Sequence, residues 1–358
     1  MVNGTRSPMS ETAIGSRRPG LRALLGEIPY DKPKTRLLDV DAARGLAIFL
    51  VVVGHVVARD MPAGNAWYAQ LKNTIYLFHM PLFMVLAGIT FALSLPVFEA
   101  WRAAARFSLQ RAERLFIPYV VFGLLVLAGK WAASHFVHVD NMPQGSAEDL
   151  FRLLFLPDSS VAGFLWFIYV LSIYLLLVPA LFQIFGRRPM PLLIAGVVLQ
   201  FGAWPQLFML DRVVEYLPFF ALGMLLWMYR GAWARITPGL LWSSSAVFAA
   251  LLAMSLWLEL PKWLVGAASV PAVLAWTQSL PAVPRDWLAM LGRASLAIYL
   301  MNTIAIGLTK GVMLELLPWD GVNFLLYFPL LTLAGIAAPI LVLQLATRYF
   351  PRAARYLK

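Results

Sequence analysis

Between about residue 42 and residue 350, long apolar runs alternate with short breaks built from glycine, proline and charged residues. No polar stretch between them is long enough to make a soluble domain. A helix needs about 17–25 apolar residues to cross the ~30 Å hydrocarbon core of a bilayer. Runs of that kind lie near 42–59, 72–94, 115–133, 163–185, 190–210, 213–229, 239–258, 262–280, 291–313 and 323–347. Clusters such as Gly186-Arg187-Arg188-Pro189 and Arg230-Gly231-Ala232-Trp233-Ala234-Arg235 end helices and mark the loops between them. The pattern predicts an all-α fold, a polytopic transmembrane helical bundle of about ten spans over residues 37–350.

Charge gives this bundle a direction. Ten spans return both termini to one side, and lysine and arginine prefer the cytoplasmic side. With the N-terminus inside, 22 of the 29 Lys and Arg residues fall on inner segments, leaving only Arg59, Lys72, Lys130, Arg152, Arg212, Lys262 and Lys310 outside. Merging the fifth and sixth runs would invert everything after them, and the alternation of charge beyond that point argues against it. Both termini are therefore expected in the cytoplasm. Residues 1–36 carry Arg17, Arg18, Arg22, Lys32, Lys34 and Arg36 without the apolar core of a signal peptide. They read as a basic cytoplasmic tail, disordered or interfacial, and residues 351–358 as a short basic cytoplasmic end.

Composition agrees: 61% of the residues are hydrophobic and 13% charged, where soluble proteins carry about 25% charged residues. The net charge of +11 would raise the question of nucleic acid in a soluble protein; here it follows the membrane sidedness, and no nucleic-acid partner is expected. The absence of cysteine excludes disulfides, thiolate metal sites and a cysteine nucleophile. The outer loop 134–162 holds His135, His138, Asp140, Glu148, Asp149 and Asp158, as a solvated loop or a surface that contacts substrate. His135 and His138 form half of a metal site at most, with no third ligand at useful spacing, so no metal is expected.

Ionisable groups at membrane depth are costly and mark candidate sites. The first run supplies Asp41, Arg44 and His55 in the pattern Asp-x-x-Arg-Gly followed by Gly-His. The step from Arg44 to His55 comes within about 20° of three full helical turns, so both lie on one face about 16 Å apart. Asp41, one turn earlier, can pair with Arg44 and orient its guanidinium. Arg44 then sits at the inner boundary and His55 in the outer half. The second run, descending, places His79 at a similar depth beside Pro81, which is expected to kink that span. A membrane histidine serves either as packing glue or as a proton carrier. His55, on the face of Arg44, reads as functional and able to take a proton from a hydroxyl at neutral pH, while His79 stays open between the two roles. Arg102, Arg106, Arg111 and Arg114 lie on the inner loop after the second run. Such a cluster binds phosphate through bidentate forks or rests on anionic membrane lipids.

Together these segments resemble the acyltransferase-3 family, bacterial multi-span membrane O-acyltransferases that include polysaccharide O-acetylases and the fucose 4-O-acetylase group. The resemblance rests on Arg44 followed after ten residues by His55, on Arg111-x-x-Arg114, and on Phe78-His79-Met80-Pro81-Leu82-Phe83. Leu165-Trp166-Phe167 and Leu291-Gly292-Arg293-Ala294-Ser295-Leu296-Ala297-Ile298-Tyr299-Leu300 add to it. Two positions depart from the family pattern. Ala87-Gly88 stands where many members have Ser-Gly, and Asn302 stands where many have a histidine, so Asn302 takes no proton and the base is placed at His55. The resemblance implies transfer of an acyl group, usually acetyl, from cytosolic acyl-CoA to a hydroxyl of a glycan or small-molecule acceptor, in a bacterial inner membrane. Arg44, Arg111 and Arg114 would hold the acyl-CoA co-substrate, and Arg44, His55, His79 and one of the two loop arginines are expected to line one long cavity. Transfer runs directly or through an acyl-histidine. A secondary transporter or exporter of a small polar substrate is the alternative reading, although the chain carries no internal repeat, and a non-catalytic scaffold is a third.

Overall fold

The computed structural model describes residues 37–58, 61–135, 143, 145–233 and 238–357. The basic tail 1–36 and His138 lie outside the described residues. Within them the chain is helical, with no strands. In order the helices are α1 (Leu38–His55), α2 (Ala66–Tyr76), α3 (His79–Ser94), α4 (Trp101–Ala133) and α5 (Ser146–Phe155). Next come α6 (Trp166–Ile184), α7 (Met190–Leu199), α8 (Leu210–Met228), α9 (Arg230–Trp233) and α10 (Pro238–Met254). The chain closes with α11 (Lys262–Ser279), α12 (Ala282–Arg293), α13 (Ser295–Leu314), α14 (Phe324–Tyr349) and α15 (Pro351–Ala354).

Among the described residues five stretches are long and apolar enough to cross a membrane: Ala66–Ser94, Trp101–Ala133, Gly163–Ile184, Ser295–Leu314 and Gly321–Tyr349. α1 has 18 residues but carries Asp39, Asp41 and Arg44, and α8 carries Asp211, Arg212 and Glu215 in its first two turns. These two helices give up apolar character at the positions that bear ionisable groups. Outward-facing Phe201, Trp242, Trp257, Leu308 and Val312 are exposed, an apolar exterior suited to lipid rather than water.

Several predicted runs take a different form. The second is broken: α2 ends at Tyr76, Leu77 and Phe78 form a turn, and α3 starts at His79. Pro81 therefore sits in the first turn of α3, where a missing N–H costs nothing, and it interrupts the helix before itself instead of kinking it from within. The loop expected to carry the four arginines is helical, because nothing between Trp101 and Leu115 breaks a helix; α4 runs unbroken for 33 residues with Pro118 inside it. The run 190–210 is helical only to Leu199, and Phe208 and Met209 take left-handed backbone angles before α8 begins. The ninth run begins inside the separate helix α12, which ends at Arg293.

Glycines decide where helices touch. A Cβ on Gly45 would drive into the Leu288 carbonyl and one on Gly292 into that of Asp41, so α1 and α12 pack backbone to backbone. Gly88 and Gly223 serve the α3–α8 pair in the same way, against the carbonyls of Phe220 and Val85. Small residues at such crossings let membrane helices gain dispersion contacts that lipid does not replace.

Candidate active site

α1 brings its ionisable residues to a seam with α13. At its N-terminal end the Arg44 guanidinium donates to Ser295 Oγ at 2.9 Å and lies 3.9 Å from the Asp41 carboxylate, one turn earlier. At its other end His55 Nδ1 is 2.9 Å from Asn302 Oδ1. Ser295 and Asn302 are seven residues apart, within about 20° of two full turns, so they share one face of α13 as Arg44 and His55 share one face of α1. The two rungs come in the same order on both helices, so α1 and α13 run in the same direction. The rungs span about 16 Å on α1 and about 10 Å on α13, a difference that the long arginine side chain takes up.

The partners are rigid. Asn302 is fully buried, and its amide nitrogen donates to the carbonyls of Ile298 and Tyr299 at 2.9 and 2.8 Å. The Tyr299 hydroxyl donates to the Phe164 carbonyl at 2.6 Å and accepts from the Phe167 amide at 3.3 Å. The Leu165-Trp166-Phe167 segment and the Tyr299 segment, far apart in sequence, are thus clamped together one turn from Asn302.

His79 opens α3 and is buried. Its Nδ1 donates to the Ile75 carbonyl at 2.7 Å, the last full turn of α2, so the break in the second run is bridged by the histidine itself. The imidazole lies 5.0 Å from the Tyr76 ring. The Tyr76 hydroxyl donates to the Gly54 carbonyl at 3.1 Å. Nearby, Lys72 donates to the Val57 carbonyl at 2.7 Å. Neither histidine has a hydrogen bond at Nε2 among the described residues.

Asp41 and Arg44 thus stand at the N-terminal end of α1 beside Ser295 and His55 at its C-terminal end beside Asn302, with His79 linked to Gly54 of α1 through the Tyr76 ring. Arg111 and Arg114 stand elsewhere. They line a cavity of about 360 Å³ with Phe107, Gln110, Glu113, Arg355 and Tyr356, at the N-terminal half of α4 and the chain's basic end. Arg44 and the two histidines are not among the residues that line it. Arg111 packs over the Phe107 ring at 5.1 Å, and Arg355 donates to the Tyr356 hydroxyl at 3.1 Å.

Sequence reasoning missed Ser295, Tyr299 and the role of Tyr76, because each acts through a partner more than twenty residues away. It also missed α5 inside the loop 134–162, an amphipathic helix with a Glu148–Arg152 pair at 2.6 Å. The hydroxyls of Tyr119 and Tyr169 anchor it through the Leu153 and Leu154 carbonyls. His135 of the expected half-site is bonded to its own helix at the Trp131 carbonyl, 2.9 Å away. Among the described residues no cluster of three His, Asp or Glu suits a metal ion.

On the other side of Trp166 a polar group gathers. Arg212 pairs with Asp158 at 3.3 Å and Glu215 at 3.4 Å and lies over the Trp166 ring at 5.4 Å, with Tyr216 5.0 Å from the same ring.

Residues 37–344 match the model of the Acyltransferase domain of the acyltransferase-3 family. Among curated proteins the chain is 29% identical to Nodulation protein NolL of Sinorhizobium fredii, over 53% of this chain and 48% of that one. It is 26% identical to Nodulation protein NolL of Mesorhizobium japonicum, over 64% of this chain and 57% of that one. The chain thus spans about half the length of the curated relatives it matches. No solved structure matches. With the family model covering the whole helical bundle from α1 into α14, the chain belongs to the acyltransferase-3 family.

Proposed function

We propose that this protein is a membrane-bound O-acyltransferase. It moves an acyl group, acetyl in the simplest case, from cytosolic acyl-CoA to a hydroxyl of a sugar, an exopolysaccharide precursor or another glycan-like or small-molecule acceptor. The observation that carries this reading is the α1–α13 seam, where a paired arginine and an oriented histidine occupy one face of a helix inside a family acyltransferase domain.

In this mechanism His55 Nε2 takes the proton of the acceptor hydroxyl as its oxygen attacks the thioester carbonyl. The tetrahedral adduct collapses with cleavage of the C–S bond, and the departing sulfur receives the proton from His55, leaving an ester and free CoA thiol. A variant transfers the acyl group first to His55 and then to the hydroxyl. Arg44 lies about 16 Å below His55 along α1, too far to stabilise charge on the reacting carbonyl. Its part is to hold the donor along its arm, with Asp41 aiming it. His79, whose Nδ1 is engaged by Ile75, offers Nε2 as an acceptor for a hydroxyl of the incoming acceptor molecule. Arg111 and Arg114, with Arg355, form an anion cradle suited to the phosphates of CoA, which the long pantetheine arm separates from the thioester.

The ten-span arrangement with both termini cytoplasmic, in a bacterial inner membrane, belongs to the same proposal. The parallel course of α1 and α13 agrees with it, because the arrangement puts seven crossings between them and an even number would make them antiparallel. Membrane vesicles of controlled sidedness, given acetyl-CoA labelled in the acetyl group, test the function. Label is expected in an acceptor pool when acetyl-CoA is supplied on the cytoplasmic face. Label that is never transferred, together with net movement of an unmodified solute across the vesicle, favours the transporter.

A further inference from the structure

The geometry points to Asn302 as a positioning residue that fixes the tautomer of His55, so that Nδ1 keeps its proton and Nε2 faces the reaction as the base; this rests on the proposed role of His55 in acyl transfer. A side-chain amide has one end that only donates and one that only accepts. The Asn302 nitrogen is held at 2.9 and 2.8 Å by the carbonyls of Ile298 and Tyr299, and carbonyl oxygens only accept. The opposite orientation would press Oδ1 against both of them in a fully buried place and leave the amide donors without their acceptors, a penalty that buried polar groups avoid. Oδ1 therefore faces His55, and at 2.9 Å it demands a proton on Nδ1. In a neutral imidazole the remaining lone pair is then on Nε2.

The restraint is built from the backbone outward. Tyr299 is tied to Phe164 and Phe167, the Tyr299 carbonyl orients Asn302, and Asn302 orients His55. In water the neutral imidazole favours the Nε2–H form, which would present the wrong nitrogen to the acceptor hydroxyl. A buried neutral amide achieves the reversal without placing a second charge beside the imidazolium formed during the reaction.

The test uses full-length protein in nanodiscs with nitrogen-15 histidine, the His55 signals being identified by their loss in His55→Gln. In the wild type Nδ1 is expected to be the protonated nitrogen. Asn302→Leu, which removes the acceptor at similar volume, is expected to move the proton to Nε2 and to lower kcat by about 100-fold or more, as when a base histidine loses the partner that fixes its tautomer, with KM for acyl-CoA within about twofold of wild type. Asn302→Asp keeps an oxygen toward His55 and is expected to retain the Nδ1–H form and a kcat above that of the leucine variant. A wild-type His55 protonated on Nε2, or an unchanged tautomer in Asn302→Leu, overturns the inference. Should the leucine variant fail to fold, the wild-type and aspartate spectra still decide. Because the tautomer is read without turnover, an inactive preparation with the expected spectrum would count against the acyltransferase reading and leave the tautomer assignment standing.

Discussion

Arg44 reaches across from α1 to donate to the Ser295 hydroxyl at 2.9 Å, two turns before α13 presents Asn302 to His55. Ser295 thus fixes the first rung of the seam, and its partner is a charged group, for which a hydrogen bond contributes about 1.5–3 kcal/mol. Ser295→Ala is expected to raise KM for acyl-CoA by about tenfold with kcat nearly unchanged, whereas Ser295→Thr stays close to wild type. Steady-state kinetics decide; a loss confined to kcat would show that Arg44 serves the chemical step instead.

Backbone contact between α1 and α12 makes a stability prediction. A methyl at Gly292 meets the Asp41 carbonyl, while one at Gly307 meets nothing within 4 Å. Gly292→Ala is expected to destabilise by about 1–3 kcal/mol through overpacking and to disturb Arg44 by moving Asp41. Gly307→Ala is the control, neutral or slightly stabilising as a helical Gly→Ala change. Thermal unfolding followed by tryptophan fluorescence in detergent separates the two, and equal melting temperatures would refute the close crossing.

Tyr76 couples Gly54 to His79. A Cβ on Gly54 would come within 2.7 Å of the Tyr76 ring edge, and that ring is 5.0 Å from the His79 imidazole. The ring is part-exposed and can shift, so Gly54→Ala is expected to cost less than about 1 kcal/mol of stability, within the range of a tolerated small-to-large change, and yet to slow turnover by tenfold or so. Tyr76→Phe removes only the hydroxyl that donates to Gly54 and should have a smaller effect on both. Parallel melting and rate measurements test this; a large loss of stability with normal specific activity of the folded fraction would contradict it.

Cysteine is absent from the chain, so single introduced cysteines report sidedness without background. Glu113 lies in the basic half of α4, and Ser159 in the turn before α6; both are exposed. In the proposed topology Glu113→Cys is labelled by an impermeant maleimide only from the cytoplasmic side and Ser159→Cys only from the opposite one. Labelling of both from one side would mean that α4 does not cross the membrane.

The readable part of this protein was that encoded within single helices. Arg44 and His55 declare themselves because their spacing puts them on one helical face, and Asp41 because it falls one turn from Arg44. Ser295 and Asn302 are 251 and 247 positions from their partners, so only the packing of α13 beside α1 reveals them. Asn302, which in the sequence is a departure from the family pattern, becomes meaningful once its amide is seen held by two carbonyls. The helix α12 escaped notice because Arg285, Asp286 and Arg293 interrupt its apolar pattern, and its packing depends on Gly292, a residue that contributes no hydrophobic signal. The break before His79 was half legible: Pro81 signalled a disturbance, but its place in the first turn of α3 depends on where α2 ends. The arginine pair Arg111 and Arg114 was visible as a motif, while its neighbours Arg355 and Tyr356 come from the far end of the chain.

The central claim, that His55 is the base of an acyl transfer from acyl-CoA, is tested most directly by thiol release from acetyl-CoA with purified protein in nanodiscs and a lysate of candidate acceptors. Wild type, His55→Ala and Arg44→Ala are compared. Acceptor-dependent thiol release by the wild type is predicted, lost in His55→Ala while acetyl-CoA binding persists, and with binding weakened in Arg44→Ala. Wild-type rates in His55→Ala, or a folded wild type that binds no acyl-CoA, would contradict it.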